Sequence, residues 1–370
     1  MLSPVQKLLA ELISIPSVNP EGVKDTSITG EKGIAEWLCH WLKKQGADVK
    51  LQAVLPGRPN VIACWKPKGR VKRRVLLAPH TDTVSVEGMT IDPFKPRIHG
   101  GKMYGRGASD TKGSLAAMLI AVTELRQNGW PEGLKVTFVG LADEEGYNAG
   151  AKKFVSSCPD YDLVIVGEPT GLKIVHETKG TAWVKLKAKG KACHASAPEN
   201  GTNALVQLSE ALLLFCKEWE KKTKKMVHPA LGKMTCTPTK FQAGSQCNIV
   251  PDVAEAWLDI RYLPQVPLKS ILASFGSLLG GVKVEFAYDY PPLYTSSKNE
   301  LLQKILPFTK GFTSAPWFCD ASYFSQKGLP AVALGPGSMK EAHTKDEFIA
   351  LKDLEQGKNV YLSVLKKLSA

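Results

Sequence analysis

The chain has 370 residues, 44% of them hydrophobic and 22% charged, with a formal net charge of +13. This length accommodates two domains with ample core, and the composition is that of a globular protein, not a disordered or fibrous one. No run of about 18 apolar residues occurs, which argues against a helical membrane span and predicts no membrane partner.

The basic excess invites a nucleic-acid reading. Its residues sit in short runs such as "KPKGRVKRR" (66–74) and "EKKTKK" (220–225), without interleaved aromatics or a recognition motif. They read as a solvated basic surface, and no nucleic-acid partner is expected. The eight cysteines are scattered singly with no CxxC pair. A chain this long needs no disulfide framework, so they read as thiols in a reducing, cytoplasmic compartment.

Along the chain, Val5, Leu8, Leu9, Leu12 and Ile13 recur at helical spacing, and Glu11 interrupts any secretory h-region. Ser3 and Pro4 suit the N-cap and N1 of that first helix. "RRVLLAPHTD" reads as a buried strand ending at Ala78–Pro79. "TKGSLAAMLIAVTELRQNG" is a helix stopped by Gly129. "LKVTFVGLADEE" and "YDLVIVGEPT" are two more buried strands. Continuous apolar strands alternating with helices predict an α/β fold, a mostly parallel sheet with helices on both faces.

The texture changes near Thr178. "GTAWVKLKAKGKACHAS" alternates apolar and polar residues, as a half-exposed antiparallel strand does. A helix follows ("NALVQLSEALLLFCKEWEKK"), then two strands within 237–264, a helix ("LKSILASFGSLLG") and a strand ("VKVEFAYDY"). This β-α-β-β-α-β order predicts a ferredoxin-like insert. After "YPPLYT" the α/β texture returns, with a buried strand in "LPAVALGPG" and a closing amphipathic helix. The expected division is 1–177 with 290–370 as one domain and 178–289 as an insert that can dimerise through its helices or sheet edge.

Acids and histidines cluster just after the buried strands. His80 and Asp82 follow "VLLAP", Glu144 and Glu145 follow "VTFVGLAD", and Glu168 follows "LVIVG". Asp110 precedes a helix, and His343 lies beyond "AVALGPG". Open α/β sheets bind ligands outside the carboxyl ends of their strands, so these groups should share one edge. Two histidines and at least three carboxylates suit Zn²⁺, Co²⁺ or Mn²⁺ and suffice for two ions about 3.5–4 Å apart. Singly, each has an ordinary reading: a satisfied histidine beside a strand, a helix-capping Asp, a solvated Glu pair. Spacing alone leaves the metal site and these structural roles both open.

The segments "PHTDTV", "GRGASDTKGS", "DEEGYNAGA", "GEPT", "GKACHASAPENGTNAL", "CNIVPDVAEAWLDIRYLP" and "EAHTKDEF" resemble those of the M20 metallopeptidase family. That family includes acetylornithine deacetylase, succinyl-diaminopimelate desuccinylase, aminoacylase-1 and glutamate carboxypeptidase. The resemblance implies a dinuclear hydrolase with two divalent ions, zinc first and cobalt or manganese as alternatives. His80 and Glu168 would hold one metal, Glu145 and His343 the other, and Asp110 would bridge them, followed by a cis peptide. Asp82 would orient His80 through its far ring nitrogen. Glu144 would be the general base, and His194 would stabilise the oxyanion, often from the other subunit of a homodimer. Asn248 and Arg261 would grip a substrate carboxylate, and Gly335 and Gly337 would line the substrate side. Thr111 and "EGYNAGA" depart from the commoner family residues without removing a ligand. The implied reaction is release of the acyl group from an N-acyl amino acid, of the acetylornithine deacetylase or desuccinylase type. The alternative is a metallocarboxypeptidase or dipeptidase acting on short peptides. Asp143, first of the three adjacent acids, has no assigned role.

Overall fold

The computed structural model describes residues 1–65 and 68–369. Lys66 and Pro67, at the head of the first basic run, lie outside the described residues. The chain folds into two compact units. One comprises Met1–His176, Thr295–Thr313 and Cys319–Ala370; the other comprises Glu177–Tyr294 and Ser314–Phe318.

The first unit is built on an eight-stranded sheet. Its spatial order is Asp48–Leu55, Arg58–Cys64, Glu132–Gly140, Lys68–Ala78, Leu163–Val166, Ala331–Ala333, Ile174–Thr178, Phe312–Ala315. The four strands from Glu132–Gly140 to Ala331–Ala333 run parallel. The hairpin of Asp48–Leu55 and Arg58–Cys64 adds antiparallel strands on one side, and Ile174–Thr178 pairs antiparallel on the other. Parallel strands are covered on both faces, and here Val75, Leu76, Leu77, Leu163, Val164 and Ile165 are all fully buried.

The covering helices follow from local sequence. Pro4–Ile13 begins with a reciprocal cap, in which Ser3 accepts from the Gln6 N–H and Gln6 accepts from the Ser3 N–H. Such a cap contributes about 1 kcal/mol. Its buried residues are the five apolar positions read from the periodicity. Lys112–Gln127 is apolar almost all round and sits in the core against Leu351–Leu368. Because the four central strands point the same way, the segments that follow them emerge at one edge of the sheet.

The second unit is a four-stranded antiparallel sheet, ordered Thr235–Ala243, Val253–Tyr262, Gly180–Lys189, Lys283–Tyr290. Along Gly180–Lys189, Ala182, Val184, Leu186 and Ala188 are buried, while Trp183, Lys185, Lys187 and Lys189 alternate outward. Helices Ala204–Thr223 and Leu268–Ala273 complete its core, where Phe215 and Phe275 stack with ring centroids 4.2 Å apart. The second helix is shorter than its sequence pattern, ending at Ser274 before a tighter turn.

Candidate metal centre and active site

The strand ends bring most of the singled-out acids and histidines of the first unit together. His80 pairs with Leu141 in an isolated parallel bridge, so the segments after Lys68–Ala78 and Glu132–Gly140 stay side by side. His80 Nε2 lies 3.1 Å from Asp110 Oδ1, and His343 Nε2 lies 3.2 Å from Asp110 Oδ2 and 3.0 Å from Glu145 Oε1. One ligand atom each from His80, Asp110 and Glu145 falls within 4.8 Å of the others. Asp110 thus turns one carboxylate oxygen toward each imidazole. The Asp110–Thr111 peptide is cis. Glu168 is buried, and its Oε1 has no hydrogen-bond partner among the described residues.

A buried, unpartnered carboxylate oxygen is costly in protein and suits a cation. The donor set of two imidazoles and several carboxylates is one that borderline divalent metals accept. The residues present therefore fit a divalent metal centre.

The protonation equilibria of these groups are displaced together. Burial raises Glu144 well above the usual carboxylate range, with Glu168 and Glu145 adding to it and His80 opposing. Burial and the Asp110 charge raise Glu168 likewise. For His80, burial favours the neutral ring, but hydrogen bonds to Asp110 and Asp82 prevail and raise it. Asp110 is held well below its ordinary value; burial opposes this, but the bonds to His343 and His80 prevail. Strongly perturbed groups of opposite sign packed together mark a functional site.

Asp82 serves the acid-bearing loop as well as His80. Its Oδ1 and Oδ2 accept the backbone N–H groups of Glu144 and Glu145, at 3.1 and 3.0 Å. The nearer partner of His80 Nδ1 is the Asp82 carbonyl, at 3.0 Å, with the carboxylate Oδ1 at 3.6 Å. Asp143, Asn148 and His343 have left-handed backbone, with φ of 65°, 54° and 58°. Non-glycine residues in that region are uncommon, and they gather where surrounding structure over-determines the chain.

Comparison with known proteins agrees with this geometry. The profile of peptidase family M20/M25/M40 matches residues 76–367. The chain belongs to the M20 peptidase family. It is a metal-dependent hydrolase. An acetylornithine deacetylase of Vibrio parahaemolyticus is 31% identical over 336 residues, covering 87% of both chains. One of Vibrio atlanticus is 29% identical over 353 residues, covering 91% of this chain and 92% of its own. Among solved structures, a tripeptidase from Staphylococcus aureus superposes with a TM-score of 0.76 at 24% identity, covering 99% of this chain and 98% of its own. A dinuclear metal binding peptidase from Bacillus subtilis does so at 0.69 and 15% identity, with the same coverage. These structural likenesses concern the fold.

The remaining singled-out residues of this M20 chain fall in three places. In the second unit, His194 and Asn248 lie on adjacent loops, tied by a His194–Ile249 bridge and by the Ala195 N–H donating to the Asn248 carbonyl at 2.9 Å. His194 is exposed, and its Nδ1 is 2.7 Å from Ser196 Oγ. Arg261 lies toward the other end of Val253–Tyr262. Its guanidinium is engaged with Asp259 through Nε at 2.8 Å and Nη2 at 3.1 Å, and with Thr181 Oγ1 through Nη1 at 2.7 Å. In the first unit, the Gly335–Gly337 loop is pinned by N–H groups of Leu172 and Gly171. Any Cβ on Gly335 would overlap the Ser114 hydroxyl and come within 2.6 Å of the Glu168 carbonyl.

Sequence reasoning missed Glu347. This fully buried carboxylate, four residues after His343, accepts from the N–H groups of Ser109 and Asp110 through Oε1 and of Gly107 through Oε2, at 2.8–2.9 Å. Arg106 Nη1 donates to it at 2.7 Å. It ties the loop bearing His343 to the loop bearing Asp110. The only sequence signal was a buried-type acid behind a histidine, which is too common to single out.

Proposed function

We propose that this hydrolase is a dinuclear amidohydrolase that cleaves the amide bond of N-acyl amino acids, of the acetylornithine deacetylase or desuccinylase type. The observation carrying this reading is the convergence of His80, His343 and Glu145 on the two oxygens of Asp110. His80 and Glu168 would hold one ion, Glu145 and His343 the second, and Asp110 would bridge. Two divalent ions, zinc by preference and cobalt or manganese as substitutes, supply Lewis acidity and a lowered water pKa when bound.

The chain's own groups then do the proton work. Glu144 takes the proton from the water that attacks the amide carbon. It returns that proton to the nitrogen as the C–N bond breaks, releasing a carboxylic acid and an amine. His194 would donate to the oxygen that gains negative charge. Asn248 and Arg261 would meet the substrate's free carboxylate, Asn248 then coming from the other subunit, since the two lie toward opposite ends of Val253–Tyr262 within one chain; Arg261 must share the fork now held by Asp259. The curated relatives favour an N-acyl amino acid, and the family's peptidases leave a metallocarboxypeptidase or dipeptidase as the second reading. A panel of N-acetylornithine, N-succinyl-diaminopimelate, acylglutamates and dipeptides separates the two, since only a deacylase turns over the acyl substrates and spares the dipeptides.

The second unit supports a homodimer. Leu213 and Val206 on Ala204–Thr223 are 73% and 48% exposed, and Thr235–Ala243 is an edge strand. If His194 serves the partner's site, His194→Ala and Glu144→Ala proteins, each weakly active, should recover rate on mixing. Random exchange in a two-fold dimer gives about one quarter of the unmutated rate. A mixture no faster than its components assigns His194 to its own chain. The eight cysteines are free, which suits a reducing cytoplasm. Among the described residues, no helix is long and apolar enough to cross a membrane.

Metal uptake should depend on pH. Hydrogen bonds to Asp110 and Glu145 raise His343 to about 10. Its contribution to stability is therefore complete below the unfolded value near 6.5 and is lost as pH rises through about 10. A cation must displace that proton, so affinity should climb across the same window with net proton release. Calorimetric cobalt titrations near pH 6.5 and 8.5 in buffers of differing ionisation heat measure both. An affinity independent of pH would remove His343 from the ligand set.

A further inference from the structure

Asp143, the acid without a sequence-derived role, is 2% exposed and faces a cation from a distant hairpin. Its Oδ1 lies 2.8 Å from Arg58 Nη2. Arg58 opens the strand Arg58–Cys64, and it also grips Glu31 through Nε at 2.5 Å and Nη2 at 2.8 Å. Glu31, with no exposed surface, accepts the Asp143 N–H at 2.8 Å. Asn19 joins the network to the site, since its Nδ2 donates to Asp143 Oδ1 at 3.0 Å and to Asp82 Oδ2 at 2.8 Å. Asp82 in turn accepts the N–H groups of Glu144 and Glu145. Asp143 Oδ2 closes the loop from within, accepting from Tyr147 and Ala149 at 3.2 and 3.3 Å.

We propose that Arg58 is a positioning residue: through Glu31 and Asp143 directly, and through Asn19 and Asp82 indirectly, it sets the loop that carries Glu144 and Glu145. The inference rests on the dinuclear reading. Fold stability alone is a poor explanation, because buried ion pairs are often replaceable by apolar groups without loss. The loop also has a need that the network meets. Asp143 sits in the left-handed region, and four polar partners on its side chain and one on its N–H hold it there. The guanidinium fork spans two carboxylates at once, which a lysine ammonium on one stem cannot reproduce.

The test compares the unmutated protein with Arg58→Gln, Arg58→Lys and Asp143→Asn. Cobalt binding is followed by calorimetry and visible absorption, turnover by kcat and KM, and folding by thermal melting. Asn tolerates left-handed backbone, so Asp143→Asn removes charge with little strain and carries the test if Arg58→Gln does not fold. Displacing a group that orients ligands should weaken cobalt binding by about 10–100-fold and lower kcat with KM held. The cobalt spectrum should change, Arg58→Lys should not rescue, and Arg58→Gln with Asp143→Asn should be less than additive. Folded variants with unchanged cobalt affinity, spectrum and kcat would overturn the proposal, even if they melted earlier. An unmutated protein that takes up no cobalt would instead remove the dinuclear reading, and this inference with it.

Discussion

Replacing Glu144 by Gln is expected to lower kcat by about a hundred- to ten-thousand-fold, the usual share of a general acid–base group, while two cobalt ions per chain remain bound. Gln keeps the shape and the backbone N–H that docks on Asp82 Oδ1, and loses only the ability to take a proton. Glu144 itself is pushed upward by burial and by neighbouring acids, the direction that a general base working near neutral pH requires. Activity assays and metal analysis on the same preparation check this. Near-normal kcat would remove Glu144 as the base; lost metal would make it a ligand instead.

Asp110→Asn should be the more damaging change. Each of its oxygens faces a different imidazole, Oδ1 that of His80 and Oδ2 that of His343. Asn replaces one oxygen by an N–H₂ donor and removes the negative charge that faces the two imidazoles. Partners that only orient ligands cost about 10–100-fold in affinity when lost, so if Asp110 bridges as proposed its loss should cost more than about 100-fold. Cobalt titration should show both sites weakened together, with turnover below detection. Loss of one site alone would mean that Asp110 is a terminal ligand, not a bridge.

Much of this fold was legible because local rules and tertiary need agree. Val75–Ala78 and Leu163–Val166 are continuous apolar runs, and they became central parallel strands. Ser3 and Pro4 announced the first helix, and the structure adds the Gln6 half of its reciprocal cap. His80, Asp110, Glu145 and Glu168 stood out because each follows a buried strand or precedes a buried helix. The antiparallel flanks of the main sheet were less legible, since pairing partners such as Arg58–Cys64 and Glu132–Gly140 are distant in sequence.

The supporting shell was illegible for the same reason. Glu31, Arg58 and Asp143 meet across 27 to 112 residues, and Glu347 reaches Asp110 across 237. A single charge has no periodicity, so only the folded chain reveals its partner. Asp143 did show as an anomaly, an acid beside two others with no cation in reach. The cation was Arg58.

The central claim, two metals serving one amide-cleaving site, is tested most directly by titrating cobalt into chelator-treated protein while following amine release from N-acetylornithine and the acyl amino acid panel. Turnover should be absent without metal and should rise until about two equivalents per chain are bound. Turnover undiminished after chelation, or none on any acyl or peptide substrate with both ions bound, would contradict it.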